Sequence, residues 1–166
     1  MNKGGYVLRD AAPGDVAAIA GLVKELAAYE KLSHEVRATE NDFRRALFGP
    51  TPRAHAMMAD VDGTSVGFAL YFFNFSGFAG RHGLYVEDVF VQPAHRGRGI
   101  GRAIFQALAA RAVAEGCERM EWAVLDWNEP SINFYRALGA MPMNEWTVQR
   151  LAGGALLALA GAAVEE

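Results

Sequence analysis

One cysteine, Cys117, is all that the 166 residues contain. A lone thiol excludes an intrachain disulfide and any cluster of thiolate metal ligands. Cys117 follows Gly116 where a helix is expected to give way to a buried strand, so its reading is plain packing. The four histidines, His34, His55, His82 and His95, are scattered, and none pairs at the spacing of a metal-binding helix. No metal is therefore expected. Basic charge is also scarce: the formal net charge is −3, which argues against nucleic acid as the main partner and suits a cationic substrate. No apolar run reaches the roughly 18 residues of a membrane span, and residues 1–6 lack an apolar signal core. A cytoplasmic protein without membrane contact is the expectation. Neither an internal repeat nor a dividing linker occurs, and 52% hydrophobic with 21% charged residues is an ordinary globular mix. The chain reads as a single domain over 1–166.

Two phosphate-binding signatures are missing as well. No glycine-lysine pair is followed by serine or threonine, as a P-loop needs. A dinucleotide fingerprint needs glycine three places after Gly99, but Arg102 stands there. What is present is the run Gln-Pro-Ala-His-Arg-Gly-Arg-Gly-Ile-Gly-Arg at 92–102. It follows an apolar, strand-like stretch at 84–91 and leads into an alanine-rich helical pattern. Gly97, Gly99 and Gly101 let backbone come close to a ligand, their N–H groups sit where a helix begins, and Arg96, Arg98 and Arg102 add positive charge. The loop suits a phosphate-bearing ligand. An ordinary strand–turn–helix joint closed by glycines is the alternative reading of the same residues.

Strands and helices alternate along the rest of the chain. A short strand is predicted at 6–9, and Pro13-Gly14-Asp15 opens a helix whose apolar face carries Val16, Ile19, Leu22, Val23 and Leu26. A second helix spans 39–47, with Thr39 and Asp42 spaced as a capping pair and Gly49-Pro50 as a stop. Residues 55–61 and 65–73 flank Asp62-Gly63 and read as a hairpin. The helix from 99 to 115 carries Ile104, Phe105, Leu108 and Val113, with Gly116 at its C-terminal cap. A strand at 120–125, a helix at 130–138 and a last strand at 146–151 follow. The Ala- and Leu-rich tail at 151–164, about 14 residues, is too short for a bilayer and reads as a helix or strand packed on the body or on a second subunit.

Three segments together carry a family likeness: Tyr85-Val86-Glu87-Asp88-Val89-Phe90-Val91, the glycine loop, and Asp126-Trp127-Asn128-Glu129-Pro130-Ser131-Ile132-Asn133-Phe134-Tyr135. They resemble the GNAT superfamily of acetyl-CoA-dependent N-acetyltransferases, and within it the diamine (spermidine/spermine) N-acetyltransferase group. The helix with Lys24-Glu25-Leu26-Ala27-Ala28-Tyr29-Glu30 fits that group too. The resemblance implies an α/β fold, a splayed and mostly antiparallel mixed sheet flanked by helices, with acetyl-CoA held where the strand ending at Val91 parts from the next. It assigns main chain at Val89, Phe90 and Val91 to the pantetheine arm. It assigns Arg96, Gly97, Arg98, Gly99, Ile100, Gly101 and Arg102 to the pyrophosphate, and Asn128, Pro130 and Ser131 to the rest of the cofactor site. A homodimer is the family's usual assembly.

A primary amine with a pKa around 10.4 arrives protonated and must lose that proton before it attacks a thioester. By resemblance Glu87 binds the amine and relays its proton through water. Read alone, Glu87 is also compatible with a solvent-facing strand residue, although two adjacent acids inside an apolar strand are unusual. The leaving thiolate needs a proton, and Tyr135 is the family-matched donor, a phenol with a reference pKa near 10; a core aromatic beside Phe134 is its alternative. With no cysteine suited to an acyl-enzyme, direct transfer in a ternary complex is expected. The resemblance puts Tyr29, Glu30, Glu87 and Glu145 near the amine. The chain departs from the polyamine enzymes at Ser33-His34-Glu35, where those carry extra acids, and at Phe78, where they show tryptophan. A peptide N-acetyltransferase and a non-catalytic acyl-CoA sensor are the competing functions.

Overall fold

A computed structural model describes residues 5–161. It divides into two compact units, one running to Glu129 and the other beginning at Pro130.

The first unit is built on a five-stranded sheet in the order β1 (Val7–Asp10), β2 (His55–Val61), β3 (Thr64–Ser76), β4 (Arg81–Val91) and β5 (Arg119–Trp122). The first four strands are antiparallel neighbours; short turns join β2 to β3 and β3 to β4, whereas the chain between β1 and β2 carries two helices. β4 and β5 run parallel. A parallel pair needs a long crossover, and helix α3 (Ile100–Ala114) supplies it. This is the mixed, mostly antiparallel sheet that the sequence led us to expect.

Helices α1 (Val16–Tyr29) and α2 (Glu40–Phe48) cover one face. Ile19, Leu22, Leu26 and Leu47 pack there on Met58, Phe68, Leu70 and Phe90. On the other face α3 lays Ile100, Ile104 and Leu108 against Met57, Tyr71, Leu84 and Val86. The two-faced burial explains the continuous apolar runs of β2 and β3. Local signals act as their chemistry requires. The Thr39 Oγ1 accepts from Asp42 N–H while the Asp42 carboxylate accepts from Thr39 N–H, closing the start of α2. Asp62 and Gly63 both take positive φ, 49° and 78°, the geometry of a tight hairpin turn.

Three expectations need correction. The strand predicted at 120–125 ends at Trp122, because β4 offers it no ladder beyond Val86. Val113 is 77% exposed, and Ala112 is the buried residue of that last turn of α3. The last strand, predicted at 146–151, does not form: Trp146 and Val148 stand exposed and without regular backbone pairing. Their β propensity is a preference for a paired, half-buried surface. Among the described residues of the second unit, only the helices α4 (Glu129–Ala137) and α5 (Gly153–Leu159) are regular, so no strand partner exists there. α5 carries the exposed Leu156 and Leu159 of the apolar tail; residues 162–164 of that tail lie outside the described residues.

Candidate active site

The sheet opens along β4. Its register with β5 runs from Gly83↔Arg119 to Val86↔Trp122 and stops, while β3 stays paired with β4 as far as Gly67↔Val91. Among the described residues, 87–91 thus have a strand neighbour on one side only. A one-residue irregularity marks the parting: Tyr71 pairs with Val86 and Leu70 with Asp88, leaving Glu87 as the extra residue of a β-bulge. The side chains confirm the inserted residue. Leu84 and Val86 face α3 before it, and Val89 and Val91 pack on the same core after it, a switch from even to odd positions. A bulge re-aims side chains and ends pairing, and here it does both.

The open edge leads into the glycine loop. Gln92 anchors the turn, its N–H on the Val66 carbonyl at 2.9 Å and its side-chain amide on Glu25 at 2.9 Å. Gly97 and Gly99 take φ of 75° and 83°, conformations that side-chain-bearing residues resist. Gly99 is the N-cap of α3 and brings no side chain to cap it. The first N–H groups of this 15-residue helix, those of Ile100, Gly101 and Arg102, therefore face outward with the positive end of the dipole. Arg96, Arg98 and Arg102 are exposed around them. The arrangement suits a pyrophosphate on the loop and an extended, amide-bearing arm along β4, the two parts a coenzyme A thioester would present. Arg96 adds a contact not foreseen from sequence. Its Nε donates to the Val91 carbonyl at 2.9 Å, and its guanidinium lies 4.8 Å from the Tyr29 ring centroid and 5.5 Å from that of Phe90.

The acidic groups gather at the bulge. Glu87 is exposed. Asp88 turns toward the α1 face, where burial, then Glu87, then Glu30, push its carboxyl up from 3.8 to about 6. Glu30, half-buried at the end of α1, is itself raised by burial. Beside them, the Tyr29 hydroxyl donates to Asn128 Oδ1 at 2.9 Å, and the Tyr29 ring tilts against Trp127 at 6.2 Å. Asn128 is 4% exposed. The structure thus brings Tyr29, Glu30, Glu87 and Asn128 to one end of the first unit, with the open edge formed by Val89, Phe90 and Val91. Asp88 was missed as a site residue. Its adjacency to Glu87 was visible in the sequence, but its burial follows from the bulge.

In the second unit, Pro130 and Ser131 lie in the first turn of α4 and Tyr135 in its last turn. The Tyr135 ring is 5.5 Å from that of Phe134. Glu145 is exposed in the irregular stretch that follows. Among the described residues, no group of three or more His, Cys, Asp or Glu could hold a metal ion. No described helix is long and apolar enough to cross a membrane.

Comparison with known proteins agrees with this geometry. Residues 19–140 match the acetyltransferase (GNAT) family. The chain is 39% identical over 166 aligned residues to a thialysine N-epsilon-acetyltransferase of Bos taurus, covering 93% of this chain and 97% of that one. It is 32% identical to an L-ornithine N5-acetyltransferase of Arabidopsis thaliana, covering 92% and 86%. The fold superposes on an integron cassette protein from the mobile metagenome of V. cholerae with a TM-score of 0.80 at 25% identity, covering 95% and 99%. The chain belongs to the GNAT acetyltransferase family, in its diamine acetyltransferase group. It is an acetyl-CoA-dependent N-acetyltransferase.

Proposed function

We propose that this enzyme acetylates the primary amine of a small cationic substrate, a diamine, polyamine or lysine-like molecule, by direct attack in a ternary complex. The observation that carries this reading is the convergence, at the Glu87 bulge, of an open strand edge that continues into a phosphate-binding loop and a cluster of carboxylates. Acetyl-CoA, when bound, supplies an activated acetyl thioester. Main chain at residues 89–91 would hold its pantetheine arm, and residues 96–102 its pyrophosphate, with Asn128, Pro130 and Ser131 completing that site.

The chain's own residues divide the remaining work. Glu30, Glu87 and Asp88 draw an ammonium group to the bulge by charge, and Tyr29, the neighbour of Glu30 in sequence, presents its ring and hydroxyl to the substrate. Glu87, exposed at the bulge, accepts the amine's proton through water. Tyr135 donates its phenolic proton to the departing thiolate, and Glu145 adds a further negative charge for the substrate. The net charge of −3 supports a cationic small molecule over nucleic acid. A homodimer is supported by the family resemblance and by the exposed leucines of α5, and a cytoplasmic setting by the single cysteine. A screen of primary amines with acetyl-CoA, read by release of free thiol, tests the reading. Amine-dependent thiol release is the expected result, and release with peptides alone would replace the reading with a peptide acetyltransferase.

A further inference from the structure

The end of α1 departs from the usual chemistry of a helix terminus. Lys31 N–H donates to the Ala28 carbonyl and Leu32 N–H to the Ala27 carbonyl, at 3.2 and 2.8 Å. These are the two bonds of a Schellman motif, whose left-handed residue is normally glycine. Here that residue is Lys31, with φ of 62°. A left-handed conformation costs a side-chain-bearing residue about 1–2 kcal/mol. Among the described residues, the one contact that could offset this is the Lys31 ammonium over the Trp127 ring, 4.9 Å from its centroid, and such an exposed contact contributes only about 0.5–1 kcal/mol. Stability alone therefore favours glycine at this position. Among the described residues, no carboxylate lies within ion-pair distance of Lys31. An ammonium is thus held without an ion-pair partner directly after Glu30, the carboxylate whose charge acts on Asp88.

We infer that Lys31 sets the enzyme's preference among amines by reading the far end of the substrate: it pairs with the α-carboxylate of an amino acid whose ω-amine sits at the carboxylates. The inference rests on the small-amine reading above. The charges run in sequence. An ω-ammonium meets Glu30, Glu87 and Asp88, and a carboxylate separated from it by a methylene chain meets Lys31. Trp127, 47% exposed and tilted on Tyr29, fixes where the lysine's stem lies. A diamine presents a second ammonium at the same place and is repelled there. Discrimination of this kind uses an attractive and a repulsive element together. Arg96, the other cation near Tyr29, is already engaged by the Val91 carbonyl, so Lys31 is the group available for this role.

The test uses pairs that differ only by the carboxylate: L-ornithine against 1,4-diaminobutane, and L-lysine against 1,5-diaminopentane. The wild-type enzyme should show higher kcat/KM for the amino acid of each pair. Lys31→Gly keeps the left-handed backbone while deleting the charge. It should lower the amino-acid-to-diamine ratio at least tenfold, mainly through KM, with acetyl-CoA affinity by calorimetry unchanged. Lys31→Arg should restore the ratio, and Lys31→Glu should invert it. A wild-type preference for the diamines, or a ratio unmoved in Lys31→Gly, would overturn the inference while leaving the small-amine reading intact. If neither pair nor any other primary amine releases thiol, both readings fall together.

Discussion

The Tyr29 hydroxyl and Asn128 Oδ1 are joined by a 2.9 Å hydrogen bond between groups 99 positions apart in sequence. The bond ties the end of α1, where the amine is expected, to the residue just before α4 that the family resemblance gives to the cofactor. Asn128 is one of two buried polar residues among those described. Tyr29→Phe should therefore cost about 1 kcal/mol of stability in urea unfolding. It should also raise the amine KM several-fold while sparing acetyl-CoA affinity.

Asp88 makes a pH-dependent prediction. Burial first, then Glu87 and Glu30, lift its folded-state pKa from 3.8 to about 6. Between those values the folded protein binds more protons at this group than the unfolded chain, so its contribution to stability falls as pH rises through that window. Above it the ionised carboxylate is a full cost. Asp88→Asn should stabilise the protein by about 3 kcal/mol at pH 7.5, with the gain vanishing near pH 4. Urea midpoints at the two pH values check this, and amine affinity in the variant should drop.

Gly99 is the left-handed N-cap of α3, and a Cβ built on it meets no atom within 4 Å. A side chain there would act through backbone strain and through the space a pyrophosphate needs. Gly99→Val should weaken acetyl-CoA binding at least tenfold, about 1.4 kcal/mol, measured by calorimetry on the folded variant.

Tyr135→Phe keeps the ring against Phe134 and removes the proton donor. Turnover should fall roughly 10²-fold with little change in the acetyl-CoA KM. Turnover near that of the wild type would mean that Tyr135 serves packing alone.

The features that could be read from sequence are those whose chemistry is local. Gly97 and Gly99 announce a loop of positive φ, Thr39 and Asp42 cap their own helix, and Asp62-Gly63 can hardly be anything but a hairpin turn. The bulge at Glu87 could not be read, because an inserted residue is defined only by the register that β3 imposes on β4. Asp88 followed it out of view, since its burial depends on which face the bulge turns inward. Residues 146–151 failed for the opposite reason: Trp146 and Val148 favour a strand, but pairing depends on a neighbour that their own sequence does not specify. Lys31 was hidden by a sound rule, that a left-handed helix end wants glycine.

The claim that an amine is acetylated through the carboxylates at the bulge is tested most directly by thiol release at saturating acetyl-CoA. The acceptor amine is titrated across pH with the wild-type enzyme and with Glu87→Gln. The wild type should show amine-dependent release that rises with pH, as the free amine becomes available. Glu87→Gln should lower both turnover and amine affinity while acetyl-CoA binding stays intact, because an anionic cofactor gains nothing from a negative neighbour. Identical pH–rate profiles and equal amine affinity in the two proteins would contradict the account.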